Sequence, residues 1–370
     1  MQRLCCLYKK GKDIMRKVLR FNSAIILFLI TILGVMNVRT QAQQSSSHTS
    51  NLSKKELANF QLAVDYSKQT KGVSVLVMKG DKIIFEDYQN NFSADKAHFL
   101  ASGTKSFSGV MAVAAQEDGL LKLDEKVCET ITEWKSDPLK SKITIRQLLT
   151  LTSGLDVNRS QIPPAYSEAI KFPAKHEPGT FFEYGPVPFQ VFGEVMRRKL
   201  QPKKEGVLDY LKRRILNPIG LNVRFWATDR EGNPLLPQGA FLTAREWAKF
   251  GLFLKNGGKW NGKQIVPEKL LKECFVGSKA NPAYGITFWL NKPGKNPLGG
   301  NNRIALGNVE EISENGITQE GLKDLFMAAG AGNQRLYVIP SLDMVIVRQG
   351  NFSRFNDKAF LARLLFGKEI

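Results

Sequence analysis

The chain has 370 residues and a formal charge of +19, from 53 Lys and Arg against 34 Asp and Glu, with 43% hydrophobic residues. That mix excludes wholesale disorder, collagen-like repeats and a solenoid, and the length provides core for about two lobes. Only three histidines occur, His48, His98 and His176, which speaks against a histidine-rich metal site and leaves few partners for a Ser-His-Asp triad.

The chain opens on a basic stretch (Lys9, Lys10, Lys12, Arg16, Lys17, Arg20), followed by an apolar run from Ala24 to Met36 and then Thr40-Gln41-Ala42. This order predicts a secretory signal peptide over residues 1–42, with Met15 as an alternative start, and hence a periplasmic or secreted protein. The apolar run is short for a membrane span; an uncleaved N-terminal anchor is the alternative. No Cys follows the run directly, so a lipoprotein anchor is not supported. Residues 43–52, rich in Ser and Gln, read as a flexible lead-in.

Ser53-Lys54-Lys55-Glu56 is a capping-box pattern and predicts a helix to about Gln69. Gly72–Met78 and Lys82–Tyr88 predict two strands joined at Gly80-Asp81. From about Ser102 to Gln264 the chain reads mostly helical. Thr144…Gln147 and Thr243…Glu246 are two further capping boxes, and Pro186 and Pro188 stand at the start of an amphipathic run to Leu200. Strand character returns at Ile286–Leu290, Arg335–Ile339 and Met344–Arg348, with a turn at Pro340–Asp343, and Asp357–Phe366 predicts a closing helix. Strands at both ends and helices between them predict an α+β fold: an antiparallel sheet built from both termini and flanked by helices, with an inserted mainly helical lobe over about residues 102–264. A ligand is then expected in the crevice between the lobes.

Cations cluster at Arg197-Arg198-Lys199, Lys203-Lys204 and Lys212-Arg213-Arg214. They read either as a solvated helix face or as a surface that associates with anionic envelope polymers. Nucleic-acid binding is not expected, because no basic motif of known shape occurs. Cys128 and Cys274 are open to pairing or to standing as buried thiols.

The chemistry centres on Ser102-Gly103-Thr104-Lys105. Residues three apart share a helical face, so an amine at position 105 can reach a hydroxyl at 102. A serine needs a base to become a nucleophile, and a lysine serves when burial strips its proton. A second Ser-x-x-Lys, at Ser93–Lys96, lacks a following amphipathic helix and is set aside. No Gly-x-Ser-x-Gly elbow and no His-Glu-x-x-His is present, and no cofactor or metal is implied. His98 and His176 read as structural or surface residues. Phe181, Phe182, Trp226, Trp247 and Trp289, with a rim at Tyr284-Gly285, are candidates to line an acyl pocket, with plain core packing as the alternative.

Several blocks in order make the chain recognisable. They are Ala101–Phe107, Gly119–Val127, Ile145–Leu155, Pro178–Tyr184, Thr243–Gly251 and Asn256–Gly258. Together they resemble the class C β-lactamase and penicillin-recognising serine hydrolase family from about Val73 to Gly350, which implies a β-lactamase/transpeptidase-like fold for a domain at 53–370. The resemblance implies Ser102 as nucleophile, with Lys105 and Tyr184 deprotonating it, which requires a lowered pKa at both. It places the oxyanion between the N–H of Ser102 and that of Ala331 or a strand neighbour, beside Gly330. The family's second motif, Tyr-x-Asn, is met by Tyr184-Gly185-Pro186, and Pro186 cannot hold a substrate amide or the lysine as the Asn does. The third, Lys-Thr-Gly, is met by Ala328-Ala329-Gly330 without the lysine, and Arg335 is the candidate replacement cation. The implied activity is acyl transfer to water from a small-molecule or peptide ester or amide, without efficient lactam turnover. A true β-lactamase, a D-Ala-D-Ala carboxypeptidase and a non-catalytic binder of cell-wall peptides are the alternatives.

Overall fold

The computed structural model describes residues 52–157, 162–294, 316–318 and 321–370. The expected signal segment and the lead-in up to residue 51 lie outside the described residues. Helix α1 (Lys54–Gln69) is capped as its sequence dictates, with Ser53 and Glu56 each satisfying the other's backbone N–H. Strands β1 (Gly72–Lys79) and β2 (Lys82–Tyr88) form the expected hairpin. Two-residue β3 (His98–Phe99) leads to a 3-10 turn at Ala101–Thr104 and helix α2 (Lys105–Glu117).

The middle of the chain is less helical than its sequence suggests. Helices α3 (Ile145–Leu149) and α4 (Val187–Leu200) are separated by long loops, and a small sheet forms from β3, β4 (Phe225–Trp226) and β5 (Ala240–Leu242). Loops, caps and 3-10 turns satisfy the backbone there, through contacts no helical periodicity encodes. Pro186 caps α4 and Pro188 sits in its first turn, where a missing N–H costs nothing. Helix α5 (Ala244–Lys255) keeps half of its expected capping box: Thr243 accepts from the Glu246 N–H, but the Glu246 carboxylate accepts from the Asn222 N–H at 2.7 Å instead of reaching back. The hairpin β6 (Lys259–Trp260) and β7 (Lys263–Gln264) follows.

Of the strand expected at Ile286–Leu290 only β8 (Trp289–Leu290) forms. Thr287 takes φ 71°, and the Gly285 N–H donates to the Phe288 carbonyl, so the segment folds into a tight turn. Strands β9 (Phe326–Gly330), β10 (Gln334–Ile339) and β11 (Met344–Gly350) and helix α6 (Asp357–Phe366) complete the chain.

The main sheet is antiparallel with order β2-β1-β11-β10-β9-β8, so strands from the two ends of the chain meet at β1 and β11. Both faces are covered. Helix α5 lies against one, with Gly251 close enough that a Cβ would meet Val345 and Leu336; α1 and α6 cover the other. This is why β1, β10 and β11 are buried along nearly their whole length, where a one-sided sheet would alternate. The cationic runs are largely consumed by ion pairs: Arg197 and Arg198 with Glu194, Arg198 also with Glu133, Lys199 with Glu125, Arg213 with Glu205, and Arg214 with Asp118. Cys128 and Cys274 are both free thiols, the first half-buried and the second fully buried, which decides against pairing.

Candidate active site

Ser102 sits in a 3-10 turn, Ala101–Thr104, that runs into α2. Its side chain therefore does not cap the helix, and the residue stays half-exposed while its neighbours are buried. The turn is forced: Ala101 adopts φ 48°, a left-handed conformation that costs a non-glycine residue about 1–3 kcal/mol. Contacts on all sides hold it there. The Leu100 N–H donates to the Ala240 carbonyl (3.0 Å), the Ala240 N–H donates to Thr104 Oγ1 (3.1 Å), and Gly103 lies against the Trp247 ring with no room for a Cβ.

One helical turn on, Lys105 Nζ lies 2.9 Å from Ser102 Oγ. The amine is buried between the rings of Tyr184 (4.8 Å) and Phe189 (5.3 Å), and its other polar contact is the Pro237 carbonyl at 3.1 Å. Among the described residues no carboxylate pairs with it. Burial without a counter-charge pushes the ammonium down to about 7, since desolvation penalises the charged form. The Pro237 carbonyl gives the lysine the acceptor that Pro186 cannot supply.

Tyr184 completes the group. Its ring stacks on Trp289 (5.7 Å between centroids) and meets the edge of Tyr284 (6.1 Å), with Phe182 packed against both. Burial pushes the phenol up to about 12, opposed by a hydrogen bond with Ser102 and by the Arg335 charge. The expectation of a lowered pKa at both groups thus holds for Lys105 alone. Tyr184 is a neutral phenol at ordinary pH, because nothing in its aromatic surroundings stabilises a phenolate strongly enough to offset desolvation. Of the aromatic candidates, Phe182, Tyr284 and Trp289 support Tyr184, Trp247 supports the Ser102 turn, Trp226 packs on Phe107, and Phe181 lies exposed against His176. His98 pairs with the small sheet at Leu242. Neither His98 nor His176 hydrogen-bonds Ser102.

The third-motif counterpart lies on β9, and its last residue is seated on the Ser102 turn. A Cβ at Gly330 would stand 2.0 Å from the Leu100 carbonyl oxygen and 2.9 Å from the Gly103 nitrogen. Ala331, expected in the same strand, begins the three-residue turn to β10, where Gly332 and Asn333 take φ 76° and 64°. Arg335 does not stand in the crevice as a free cation. It is fully buried beneath the sheet and bound two-pronged by Asp357, at 2.6 and 3.0 Å. Sequence reasoning missed both the Pro237 carbonyl and the Asp357 partner. Asp357 gave only a helix-start signal, and a backbone carbonyl has no residue-type signature.

Gly330→Ala should therefore push β9 off the Ser102 turn. A displacement of that size predicts a fall in kcat of about 10²-fold with secondary structure intact, read by ester turnover and circular dichroism.

A protein-family model, Beta-lactamase, matches residues 53–364. Lovastatin esterase of Penicillium rubens is 24% identical over 184 residues, 41% of this chain and 45% of the esterase. A penicillin-binding protein homologue from Caulobacter crescentus shares the fold with a TM-score of 0.65 at 14% identity, covering 85% of this chain and 96% of that one. EstCE1, a hydrolase with promiscuous acyltransferase activity, does so with a TM-score of 0.61 at 16% identity, covering 84% and 96%. The chain spans less than two thirds of the length of the curated relatives it matches.

Proposed function

The chain belongs to the beta-lactamase family, and from that premise we propose that it is an exported serine hydrolase that cleaves ester or amide bonds of small molecules or peptides through an acyl-enzyme on Ser102. The observation that carries this reading is the uncompensated Lys105 amine 2.9 Å from the Ser102 hydroxyl, with a pKa near 7. Such an amine is unprotonated in a large fraction of molecules at neutral pH and can take the serine proton.

Lys105 accepts the Ser102 proton as the oxygen attacks the substrate carbonyl. The oxyanion lies between the N–H groups of Ser102 and Ala331, beside Gly330. On collapse the leaving group takes a proton from the Tyr184 phenol, which is refilled from Lys105. Water then attacks the acyl-enzyme, its proton passing to Lys105 and returning to Ser102 as the acid departs. A neutral Tyr184 suits this relay, since it must give and receive a proton in one step.

The missing second-motif Asn and third-motif Lys bear on substrate. Pro186 offers no polar side chain to an amide, and Arg335 is bound to Asp357. Esters need no hydrogen bond to an amide N–H, so they are the favoured class. Lovastatin esterase, a relative by sequence, gives that choice precedent, and EstCE1, which shares the fold, is a hydrolase with promiscuous acyltransferase activity. Export rests on the basic and apolar leader of residues 1–42.

The test is a panel of chromogenic esters of rising acyl length, a chromogenic cephalosporin and a D-Ala-D-Ala peptide. Ester turnover exceeding cephalosporin turnover by at least about 10²-fold is expected, as for a site lacking groups to pair with a substrate's polar atoms. Preferred cephalosporin or D-Ala-D-Ala cleavage would assign a β-lactamase or carboxypeptidase, and saturable peptide binding without turnover would assign a binder.

A further inference from the structure

We propose that Arg335 is a positioning residue for the oxyanion donor: by holding the Gly330 carbonyl from beneath the sheet, it aims and polarises the Ala331 N–H toward the substrate oxygen. The inference rests on Ser102 being the nucleophile.

The peptide unit joining Gly330 and Ala331 is planar and trans, so its C=O and N–H point in opposite directions. Fixing one fixes the other. Arg335 Nη1 donates to the Gly330 carbonyl at 3.3 Å and to the Gln334 carbonyl at 3.1 Å, gripping both strands where the hairpin turns. The guanidinium cannot drift. Its Nε and Nη2 donate to the two Asp357 oxygens, the Tyr337 hydroxyl donates to the same carboxylate at 2.5 Å, and the Phe355 ring lies 5.8 Å away. On the opposite face Gly330 rests on the Leu100–Gly103 backbone, which sets the depth of the peptide relative to Ser102. Among the described residues the Ala331 N–H is given to no acceptor, as befits a donor kept for a ligand.

A charged donor on the carbonyl also draws electron density through the amide and strengthens its N–H as a donor. The Arg335 charge is felt at the site itself, where it favours the ionised form of the Tyr184 phenol. A purely structural ion pair needs only the Asp357 contacts. The contact to Gly330 is additional, and it lies on the strand that reaches the reactive turn.

Arg335→Lys keeps the charge and the means to pair with Asp357 but loses the fork that reaches Gly330 at the same time. The test compares kcat and KM for an oxoester and the thionoester of the same acid and alcohol, because a thiono sulfur is a weak acceptor and profits little from the donor. The expected result is an unchanged KM, an oxoester kcat lowered about tenfold, and an oxo-to-thiono ratio lowered by a similar factor. A folded variant with unchanged oxoester kcat, or one slowed equally on both esters, would overturn the proposal. Should Arg335→Lys fail to fold, the double variant Arg335→Met/Asp357→Asn removes both buried charges together and is read by the same ratio. Fluorophosphonate labelling of the unaltered protein separates the two levels. An adduct on another serine removes the nucleophile and this proposal with it, whereas an adduct on Ser102 with unaltered Arg335→Lys kinetics removes only the positioning role.

Discussion

Ser102→Ala is expected to abolish fluorophosphonate labelling and to lower ester kcat by roughly 10⁴-fold or more, while the melting temperature stays close to that of the parent. The size of the effect follows from covalent catalysis. Without the oxygen no acyl-enzyme forms, and only water held near the remaining hydrogen-bond donors is left to react. The small effect on stability follows from position. Ser102 is half-exposed, its side chain caps no helix, and the turn around it is held by the Leu100, Ala240 and Thr104 contacts and by Trp247 under Gly103. Substitution leaves Lys105 with its Pro237 contact, and the residue already tolerates a neighbour at φ 48°. Mass spectrometry of the probe adduct, with kinetics on the best ester, checks both halves. Undiminished turnover by the alanine variant would move the chemistry to another residue.

The parts of this architecture that were legible in the sequence are those governed by neighbours in the chain. Ser53 and Glu56, and Thr144 and Gln147, satisfy each other across three residues, so their patterns locate helix starts directly. The β1–β2 hairpin and the β10–β11 pair, broken at Pro340–Asp343, are equally local. Ser102 and Lys105 fall in this class too, since one helical turn suffices to bring them together. What the sequence hid is set at long range. Glu246 leaves its capping box for the Asn222 N–H, a partner its own helix could not reveal. Thr287 folds out of an apparently regular strand because its backbone is left-handed, a conformation Thr seldom signals. Arg335 looked like a free cation at strand spacing, and Asp357, 22 residues on, is what binds it. A role for the Tyr184 phenol as a base requires a lowered pKa, on which the sequence is silent, and only the assembled cage of Phe182, Tyr284 and Trp289 reveals the opposite shift.

Lys105→Arg and Lys105→Met should each lower kcat/KM by about 10³–10⁴-fold, by removing general-base catalysis at the acylation step. Arginine retains a charge that cannot be shed, and methionine retains the bulk without a base. In the parent protein kcat/KM for a neutral ester should rise with pH and reach half its plateau near pH 7, where the buried amine loses its proton. Tyr184, near 12, gives no second limb in the working range. The same shift makes a stability statement of definite sign. An unfolded lysine titrates near 10.5 and the folded one near 7, so between those values the unfolded state binds more protons. Stability from this group therefore rises with pH across that window, and its cost is fully present below about pH 7. Lys105→Met removes the cost: the variant should melt at or above the parent temperature at pH 6 and should lose that component of the pH slope. The pairing of lost activity with equal or greater stability is what separates a functional amine from a structural one. The methionine variant also gives up the Pro237 contact, so a melting temperature well below the parent's at pH 6 would mean that this contact outweighs the relieved desolvation and would mark the lysine as structural. Denaturation curves at pH 6 and 9 beside the ester kinetics decide the matter, and full activity in the methionine variant would assign the serine proton to a different base.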